Sequence, residues 1–388
     1  MAAKTTSRRG GKNAQRQWRP AAGRGVVPEE LPKRASAKVR APRGGGDLIV
    51  QKFNGPGDAP STTTVSAGRG PRLRNATVNL IFWGSGWNTA PPPTPSLVTV
   101  ANDVASIVSG PYQSALDQYG VAAAHFGAAY LDTSNPPSPF RTSDVQNKIT
   151  DLIDNATLPE PDEEPNDQFH CVMMPPGVAY KPGGLGGLHT YAEYTDLDWF
   201  DLDWNDRSHM AWVLYGSRAN ISSVFSHELA EACSDPEGNG VQVNPTNNTN
   251  WNEIGDVCSS TGLLNGVTVQ SYWSQRDQAC VIPNNVSIRR QISCIHKTPR
   301  DNPWDDIEII GGTDVTRGTP FTMAQDQAIL EIDRGNTFFV VGADGSEAEV
   351  RVYIRFPTAK RPGTRYIATV PDDSRADNLL SLPECAWK

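Results

Sequence analysis

Two stretches decide the fold expected for this chain: Ser226-His-Glu-Leu-Ala-Glu-Ala-Cys-Ser-Asp-Pro236 and Asn252-Glu-Ile-Gly-Asp-Val-Cys258. In the first, apolar residues recur at helical spacing, which predicts a helix with one buried side. His227, Glu231 and Asp235 follow one another at intervals of four residues, so they share another side of that helix. Because an imidazole and a carboxylate one turn apart can bind one ion, the stretch predicts a metal-binding helix.

The helix resembles the His-Glu-x-x-His helix of zinc proteases in all but one position. In that motif both histidines bind zinc and the first glutamate acts as a base. Here Glu231 stands at the second histidine position. Glu228 directly follows His227 and is the candidate general base, which would take a proton from a water molecule activated by the ion. The alternative is a polar helix face whose charges are solvated or paired with arginines.

A third ligand has to come from outside the pair formed by His227 and Glu231. The second stretch places two carboxylates on either side of a glycine, and that glycine permits a tight bend. An upstream histidine also follows a glycine-rich run. The open candidates for the third ligand are Asp235, Glu253, Asp256 and His189.

The order of predicted elements indicates a mixed α and β fold. Apolar β-branched and aromatic runs near 76–83, 170–174 and 211–215 predict strands. Helical spacing at 96–118 and 143–158 predicts helices between them, and the metal-binding helix follows the third strand. Since strands and helices alternate, the expected class is α+β, with the metal-binding helix packed on a mixed sheet. A small α+β unit is expected to follow it.

Composition divides the chain into four parts. Residues 1–47 are basic and have no apolar period, which predicts disorder. Residues 48–75 are rich in Gly, Pro and Thr and predict a linker. Core-forming segments fill 76–284, and a polar joint separates them from a second set in 290–388. Two independently folding units are therefore expected, since joints of this kind carry few contacts.

Charge is distributed unevenly along the chain. The formal net charge is −8, whereas residues 1–45 alone hold twelve Lys or Arg and two Glu. A basic tail could contact nucleic acid or an anionic surface, although a solvated tail is the simpler interpretation. No run reaches the roughly 18 apolar residues of a membrane span. An apolar signal segment is also not visible, which favours a cytoplasmic protein on sequence grounds.

Residues 76–284 resemble the EXORDIUM-like, phosphate-induced protein family. The matching segments occur in the same order along the chain: Asn79-Leu-Ile-Phe-Trp-Gly84, Gly187-Leu-His189, Ala211-Trp-Val213, Ser226 to Ala232, Asp235-Pro236, Glu253 to Cys258, Tyr272-Trp-Ser274 and Cys280-Val281. The resemblance implies a zincin-type fold, secretion, and a site made of His227, Glu228, Glu231, Glu253 and Asp256.

The last part of the chain resembles a small bacterial domain family of unknown function. Its marks are Ile310-Gly-Gly312, Arg365-Tyr-Ile-Ala-Thr369 and the ending Asn378-Leu-Leu-Ser-Leu-Pro-Glu-Cys385. This resemblance implies no chemistry.

The sequence leaves two functions open. The first is a zinc-dependent peptidase or other hydrolase that acts on a peptide or protein, with Glu228 as base. The second is a catalytically inactive protein that binds metal, carbohydrate or protein on the same scaffold. Because Glu231 makes the site harder and more anionic, Ca²⁺ or Mn²⁺ is the alternative to Zn²⁺. Six cysteines do not form a dense disulfide framework, but Cys258 and Cys280 flank a predicted hairpin and could pair.

Overall fold

The computed structural model has the mixed α and β content that the sequence predicts. Among the residues it describes, no helix is both long and apolar enough to cross a membrane. The described residues are 17–20, 48–159, 161, 167–181, 183–195, 206–245, 251–285, 288–297, 307–315, 317–333, 336–342, 345–355, 364–370 and 379–385. The predicted disordered tail, 1–47, lies outside this set apart from 17–20.

The described elements are numbered in chain order. The α-helices are α1 Leu97–Ser109, α2 Thr142–Asp154, α3 Arg218–Ser234 and α4 Gln325–Asp333. Short 3-10 helices cover Ser85–Asn88, Pro111–Tyr119 and Leu379–Ser381. The strands are β1 Gln17–Pro20, β2 Leu48–Phe53, β3 Thr64–Ala67, β4 Asn75–Trp83, β5 Ala123–Asp132, β6 Gln168–Met173, β7 Gly187–Thr195, β8 Asp206–Val213, β9 Val241–Asn244, β10 Thr261–Leu264, β11 Val267–Gln270, β12 Tyr272–Ser274, β13 Ala279–Asn285, β14 Arg289–His296, β15 Ile309–Asp314, β16 Thr319–Ala324, β17 Thr337–Val341, β18 Glu347–Arg355 and β19 Thr364–Thr369.

A six-stranded sheet of order β1-β7-β8-β6-β4-β5 forms the frame of the first unit. Strands β5, β4, β6 and β8 are parallel to one another. Strand β7 is antiparallel to β8, and β1 is antiparallel to β7. Parallel strands need long crossover connections, which the helices of this unit supply. Strand β7 therefore lies beside β8, the strand that directly precedes α3 in the chain.

Both faces of this sheet are buried, which explains the continuous apolar runs in its strands. Along β4, Leu80 and Phe82 lie in the core shared with α1 and α3. Ile81 and Trp83 lie in the separate core on the opposite face, shared with α2. The period-two alternation of strand side chains divides one apolar run between two cores.

Helix α3 packs on the sheet as the sequence predicts. Its N-cap is Ser217, whose side chain accepts a hydrogen bond from the backbone N–H of Asn220. Phe225, Leu229 and Cys233 are fully buried in the core. Strand β11 covers the helix from the other side, where Gln270 N–H donates to Ser226 Oγ at 2.9 Å. Strand β11 therefore covers part of the polar side of α3.

The predicted helix 96–118 is shorter in the structure. Helix α1 ends at Ser109, and a 3-10 helix then covers Pro111–Tyr119. Gly110 and Pro111 interrupt the α-helix because proline cannot donate a backbone hydrogen bond and restricts the residue before it. The apolar positions beyond the break stay buried, with Leu116 in the same core as α1.

The segment 48–75, which the sequence predicts as a linker, contributes two paired strands. Strand β2 is antiparallel to β13, and β3 is antiparallel to β9. Ala59 and Leu73 are buried in the core of the first unit. Gly, Pro and Thr mark turns in this segment, but the short apolar stretches between those turns add strands to existing edges.

The second unit is a six-stranded sheet of order β16-β15-β14-β17-β18-β19 with its own core. Only the β14–β17 pair is parallel among these neighbours. A disulfide joins Cys294 of β14 to Cys385 near the end of the chain. The sequence did not predict this bond, because its two cysteines lie 91 residues apart.

The two units contact each other in the structure. Helix α1 packs against α4 and β18. The Asn265 side-chain amide donates to the Asp333 backbone oxygen at 2.8 Å, and the Arg365 guanidinium lies 5.4 Å from the centre of the Phe126 ring. These contacts join the unit that carries α3 to the C-terminal sheet.

Candidate metal centre

Helix α3 supplies three of the predicted site residues. His227, Glu228 and Glu231 lie on its enclosed side, and the Glu228 and Glu231 side chains are only 6% and 3% exposed. Nε2 of His227 lies 3.2 Å from Oε2 of Glu231. This is the one-turn contact that the four-residue spacing predicts.

Strand β7 brings His189 onto the same helix face. Nδ1 of His189 lies 3.3 Å from Oε2 of Glu228 and 3.6 Å from Oε2 of Glu231. Its other ring nitrogen, Nε2, lies 3.2 Å from Oε1 of Glu253. The approach depends on Gly187, because a Cβ there would lie 2.8 Å from Oε1 of Glu228 and 2.5 Å from Val224.

The loop 251–258 closes the site from the other side. It brings Glu253 to His189, and it places Oδ1 of Asp256 3.9 Å from Nε2 of His227. A disulfide between Cys258 and Cys280 of β13 anchors the loop. Trp273 N–H also donates to the Ile254 backbone oxygen at 2.9 Å. The Asp256 side chain is half exposed, so this side of the site reaches solvent.

Among the described residues, the potential metal-binding atoms form two groups that share one carboxylate. One group is His189, Glu228 and Glu231, and the other is His227, Glu231 and Asp256. Within each group the ligand atoms lie within 4.8 Å of one another. Of the predicted third-ligand candidates, His189 belongs to the first group and Asp256 to the second. Glu253 belongs to neither group and contacts the other ring nitrogen of His189.

Asp235 lies outside both groups. It follows the last residue of α3 as the C-cap, and its Oδ1 accepts a hydrogen bond from the Gly240 backbone N–H. Burial and the nearby Glu253 raise the pKa of Asp235 to about 6, although the Gly240 hydrogen bond opposes the shift. The residue closes the turn after the helix, a role that its position before Pro236 favours.

The electrostatics of the two histidines reflect the surrounding acids. Burial alone would lower the pKa of His227, but Glu231, Glu228 and Asp256 raise it to about 9. Burial likewise opposes the charged form of His189, yet Glu253, Glu228 and Glu231 raise its pKa well above the usual value. Without a metal ion both imidazoles therefore favour the protonated state.

The acids respond to burial and to the histidines in different ways. Burial raises the pKa of Glu231 to about 7 although His227 opposes this shift. Burial also raises the pKa of Asp256, with His227 opposing. At Glu253 burial would raise the pKa, but His189 outweighs it and the pKa is lowered. Burial thus favours the protonated form of Glu231, whereas His189 favours the charged form of Glu253.

The acids outnumber the cations available to them. Glu228, Glu231, Glu253 and Asp256 contact only the two histidines as ion-pair partners, and no Lys or Arg of the described residues pairs with them. Oε1 of Glu231 is buried and has no hydrogen-bond partner among the described atoms. A buried carboxylate oxygen without a partner is costly unless a cation or proton compensates it. Imidazole and carboxylate donors in this arrangement fit a divalent ion.

Gln270 is a site residue that the sequence did not reveal. Its Nε2 lies 2.9 Å from Nδ1 of His227 and donates to the backbone oxygens of Gly255 (3.1 Å) and Cys258 (2.7 Å). It therefore connects the imidazole to the loop that carries Asp256. No local signal marks this role, because Gln270 is one polar position in an ordinary alternating strand.

Comparison with known proteins identifies only the C-terminal unit. A DUF3892 domain, a family of unknown function, covers residues 291–383. This matches the small C-terminal domain of unknown function that the sequence predicts. No curated protein and no solved structure matches the chain significantly.

Proposed function

We propose that this protein is a metal-dependent hydrolase that cleaves peptide bonds in a peptide or protein substrate. The observation that carries the proposal is the buried set of imidazoles and carboxylates around α3, whose acids exceed the cations among the described residues. The alternative, a polar helix face in contact with solvent, would leave the Glu228 and Glu231 side chains exposed, whereas both are buried.

Zn²⁺ is the proposed ion, with His227, Glu231 and Asp256 as its ligands. Nε2 of His227 is already 3.2 Å from Oε2 of Glu231, a separation that two ligands of one tetrahedral ion can share. Asp256 lies on the half-exposed side and leaves room for a substrate. A bound ion would polarise the scissile carbonyl and lower the pKa of a water molecule towards neutrality.

Glu228 is the proposed general base. It is adjacent to His227 in sequence, and it lies against His189 rather than His227 in space. Its carboxylate would accept the proton of the attacking water and return it to the leaving amine. His189 would hold Glu228 in place, and Glu253 would in turn hold His189 through its other nitrogen.

The resemblance of 76–284 to the EXORDIUM-like family and to a zincin-type fold supports the same reading. That resemblance implies a site made of His227, Glu228, Glu231, Glu253 and Asp256, which are residues of the cluster around α3. Fold alone does not bring activity, so the proposal depends on the site residues.

A second candidate is a catalytically inactive binding protein that holds Ca²⁺ or Mn²⁺. The supporting observation is the excess of carboxylates over imidazoles, since hard cations prefer oxygen ligands. In this case the site would stabilise the loop 251–258 for binding carbohydrate or protein and would not catalyse hydrolysis.

Metal analysis tests the first requirement. After exposure to Zn²⁺, Ca²⁺ or Mn²⁺ and removal of excess ion, purified protein should retain at least about one ion per chain, since such sites bind tightly. Preferential retention of Zn²⁺ supports the hydrolase, whereas preferential retention of Ca²⁺ supports the binding protein. A chain that retains none contradicts both.

Substitution of the base tests catalysis. Glu228→Gln should keep the ion held by His227, Glu231 and Asp256 and lower turnover of a broad peptide library by about 100-fold or more, as expected for a general base. Glu237→Gln is the matched control, because Glu237 is also a buried acid near α3 but pairs with Arg207 and His209. Equal, negligible turnover by wild type and Glu228→Gln would reject the peptidase.

A further inference from the structure

We propose that the site binds two divalent ions, with the Glu231 carboxylate bridging them. The first is the ion of the proposed function, held by His227, Glu231 and Asp256. The second position is formed by His189, Glu228 and Oε2 of Glu231, the carboxylate oxygen nearest His189, which leaves Oε1, on the Gly255 side, for the first ion. This inference rests on the proposed function in one respect: both take the imidazoles and carboxylates around α3 as metal ligands. It adds a second metal position to the one already proposed.

The separation of the two imidazoles is the first argument. Among the described residues no donor group contains both His189 and His227, although each histidine shares a group with Glu231. Two nitrogen ligands of one Zn²⁺, at bonds of about 2.0–2.1 Å, lie at most about 4 Å apart. The two imidazoles therefore belong to two metal positions and not to the coordination sphere of one ion.

The Glu231 carboxylate provides the second argument. Its Oε2 lies between the imidazoles, 3.2 Å from His227 and 3.6 Å from His189. Its Oε1 is buried without a hydrogen-bond partner, in a side chain that is 3% exposed. A carboxylate that binds one ion through each oxygen would use both atoms and would separate the ions by about 3.5–4 Å, as in two-metal hydrolases.

Glu253 supports the second position, that of His189 and Glu228, by contacting the far ring nitrogen of its histidine, as carboxylates usually do for metal-binding histidines. With Nδ1 of His189 directed to Glu228 and Glu231, Nε2 is 3.2 Å from Oε1 of Glu253. A carboxylate on the far ring nitrogen fixes the tautomer that leaves the near nitrogen free to bind metal. Glu253 is thus a positioning residue for the second ion. Glu228 would bind that ion through Oε2, the oxygen that faces His189.

The two positions differ in access to solvent. The outer one includes Asp256, whose side chain is 51% exposed, whereas His189 and Glu228 at the inner one are 9% and 6% exposed. A chelator should therefore remove the ions in two phases, with the outer ion leaving first.

Metal stoichiometry and magnetic coupling test the inference on the full chain. EDTA-treated protein is titrated with Zn²⁺ by calorimetry, and the bound metal is measured after dialysis; Mn²⁺-loaded protein is examined by electron paramagnetic resonance. We expect two ions per chain and the spectrum of a spin-coupled Mn²⁺ pair. The second measurement needs no variant, so it does not depend on how a substitution folds.

Variants assign the positions. His189→Gln should lower the stoichiometry from two ions to one, and His209→Gln, a substitution of the same kind outside both donor groups, should leave it at two. One ion in the wild type, retained in His189→Gln but lost in His227→Gln, overturns the second position and leaves the proposed function intact. One ion that depends equally on both histidines also overturns it. No bound ion at all overturns the proposed function as well.

Discussion

At the scale of single residues, Gly255 sets how closely the loop 251–258 can approach the helix. A Cβ at this position would lie 2.7 Å from Oε1 of Glu231 and 2.8 Å from Nδ1 of His227. Both contacts are with site residues in an enclosed space. The glycine is therefore needed to keep room for the donors, in addition to permitting the bend between Glu253 and Asp256.

Gly255→Ala should weaken Zn²⁺ binding by about 10- to 100-fold, the range seen when the supports of a metal site are disturbed. The added methyl group would displace His227 or Glu231, because its close contacts are with these two side chains. Calorimetric titration of the EDTA-treated variant measures the change. Gly55→Ala is the control, because its Cβ would have only an ordinary contact of 3.5 Å with Asp58. Unchanged affinity in Gly255→Ala would place the ion away from Glu231.

The raised pKa values of Glu231 and His227 predict a pH dependence for the metal-free protein. Their folded pKa values, about 7 and about 9, lie above the unfolded values of about 4.3 and 6.5. The stabilisation from protonated His227 is fully present below about pH 6.5 and is lost as pH rises through about 9. Ionisation of buried Glu231 costs stability between about pH 4.3 and 7. Both effects act in the same direction.

The Tm of EDTA-treated protein should therefore fall from pH 5 to pH 9, measured by thermal unfolding in buffers of equal ionic strength. Zn²⁺ should reduce the decline, since metal binding displaces the same protons and strengthens as pH rises. The double variant with His227→Gln and Glu231→Gln should show a flatter profile. A Tm that rises over this range in metal-free wild type would show that these two groups are not the dominant titrating pair.

At the scale of elements, the loop 251–258 is held against the site in part by its link to β13. The Cys258–Cys280 disulfide closes a separation of 22 residues and ties the loop to the strand behind it. By loop-closure entropy such a bond contributes roughly 3 kcal/mol to stability. It also restricts the range over which Glu253 and Asp256 can move.

Replacing both cysteines of this bond by serine should lower stability by about 3 kcal/mol and weaken Zn²⁺ binding as well. The matched control is the double serine variant of Cys294 and Cys385, which removes the other disulfide from the C-terminal sheet. That variant should lose stability while keeping the Zn²⁺ affinity of the wild type. Denaturant unfolding and calorimetry give the two quantities. Equal losses of affinity in both variants would show that general destabilisation, and not the loop, controls the site.

At the scale of the whole molecule, the C-terminal unit covers part of the first unit. Helix α1 packs against α4 and β18, and Ile354 of β18 belongs to the core of the first unit. The sequence predicts two units that fold independently on either side of the 284–290 joint. Because α1 packs against α4 and β18, we expect the first unit to gain stability from the second.

A chain truncated after residue 285 should therefore unfold at a lower temperature than the same unit in the full protein, because truncation exposes the apolar surface of α1. Calorimetry of both forms gives the comparison, and limited proteolysis shows whether the joint near 284–292 is cut early. Equal melting temperatures, with early cleavage at the joint, would support the independent units that the sequence predicts.

The sequence by itself determined the mixed α and β class, the helix carrying His227, Glu228 and Glu231, and the small C-terminal unit. These features are local: helical spacing fixes which residues share a face of α3, and short continuous apolar runs mark the buried strands β4 and β17. The same local information names His189, Glu253, Asp256 and Asp235 as candidates but cannot rank them.

Only the tertiary structure decided which candidates meet. His189 reaches Glu228 because β7 pairs antiparallel with β8, and Gln270 reaches His227 because β11 covers α3. Asp235 lies outside both donor groups, and its Oδ1 accepts a hydrogen bond from the Gly240 N–H in the turn after the helix. Strands β2 and β3 join the first unit through distant partners, which composition alone cannot show. Contacts between residues far apart in sequence depend on the packing of whole elements, and that packing leaves no periodic trace in the chain.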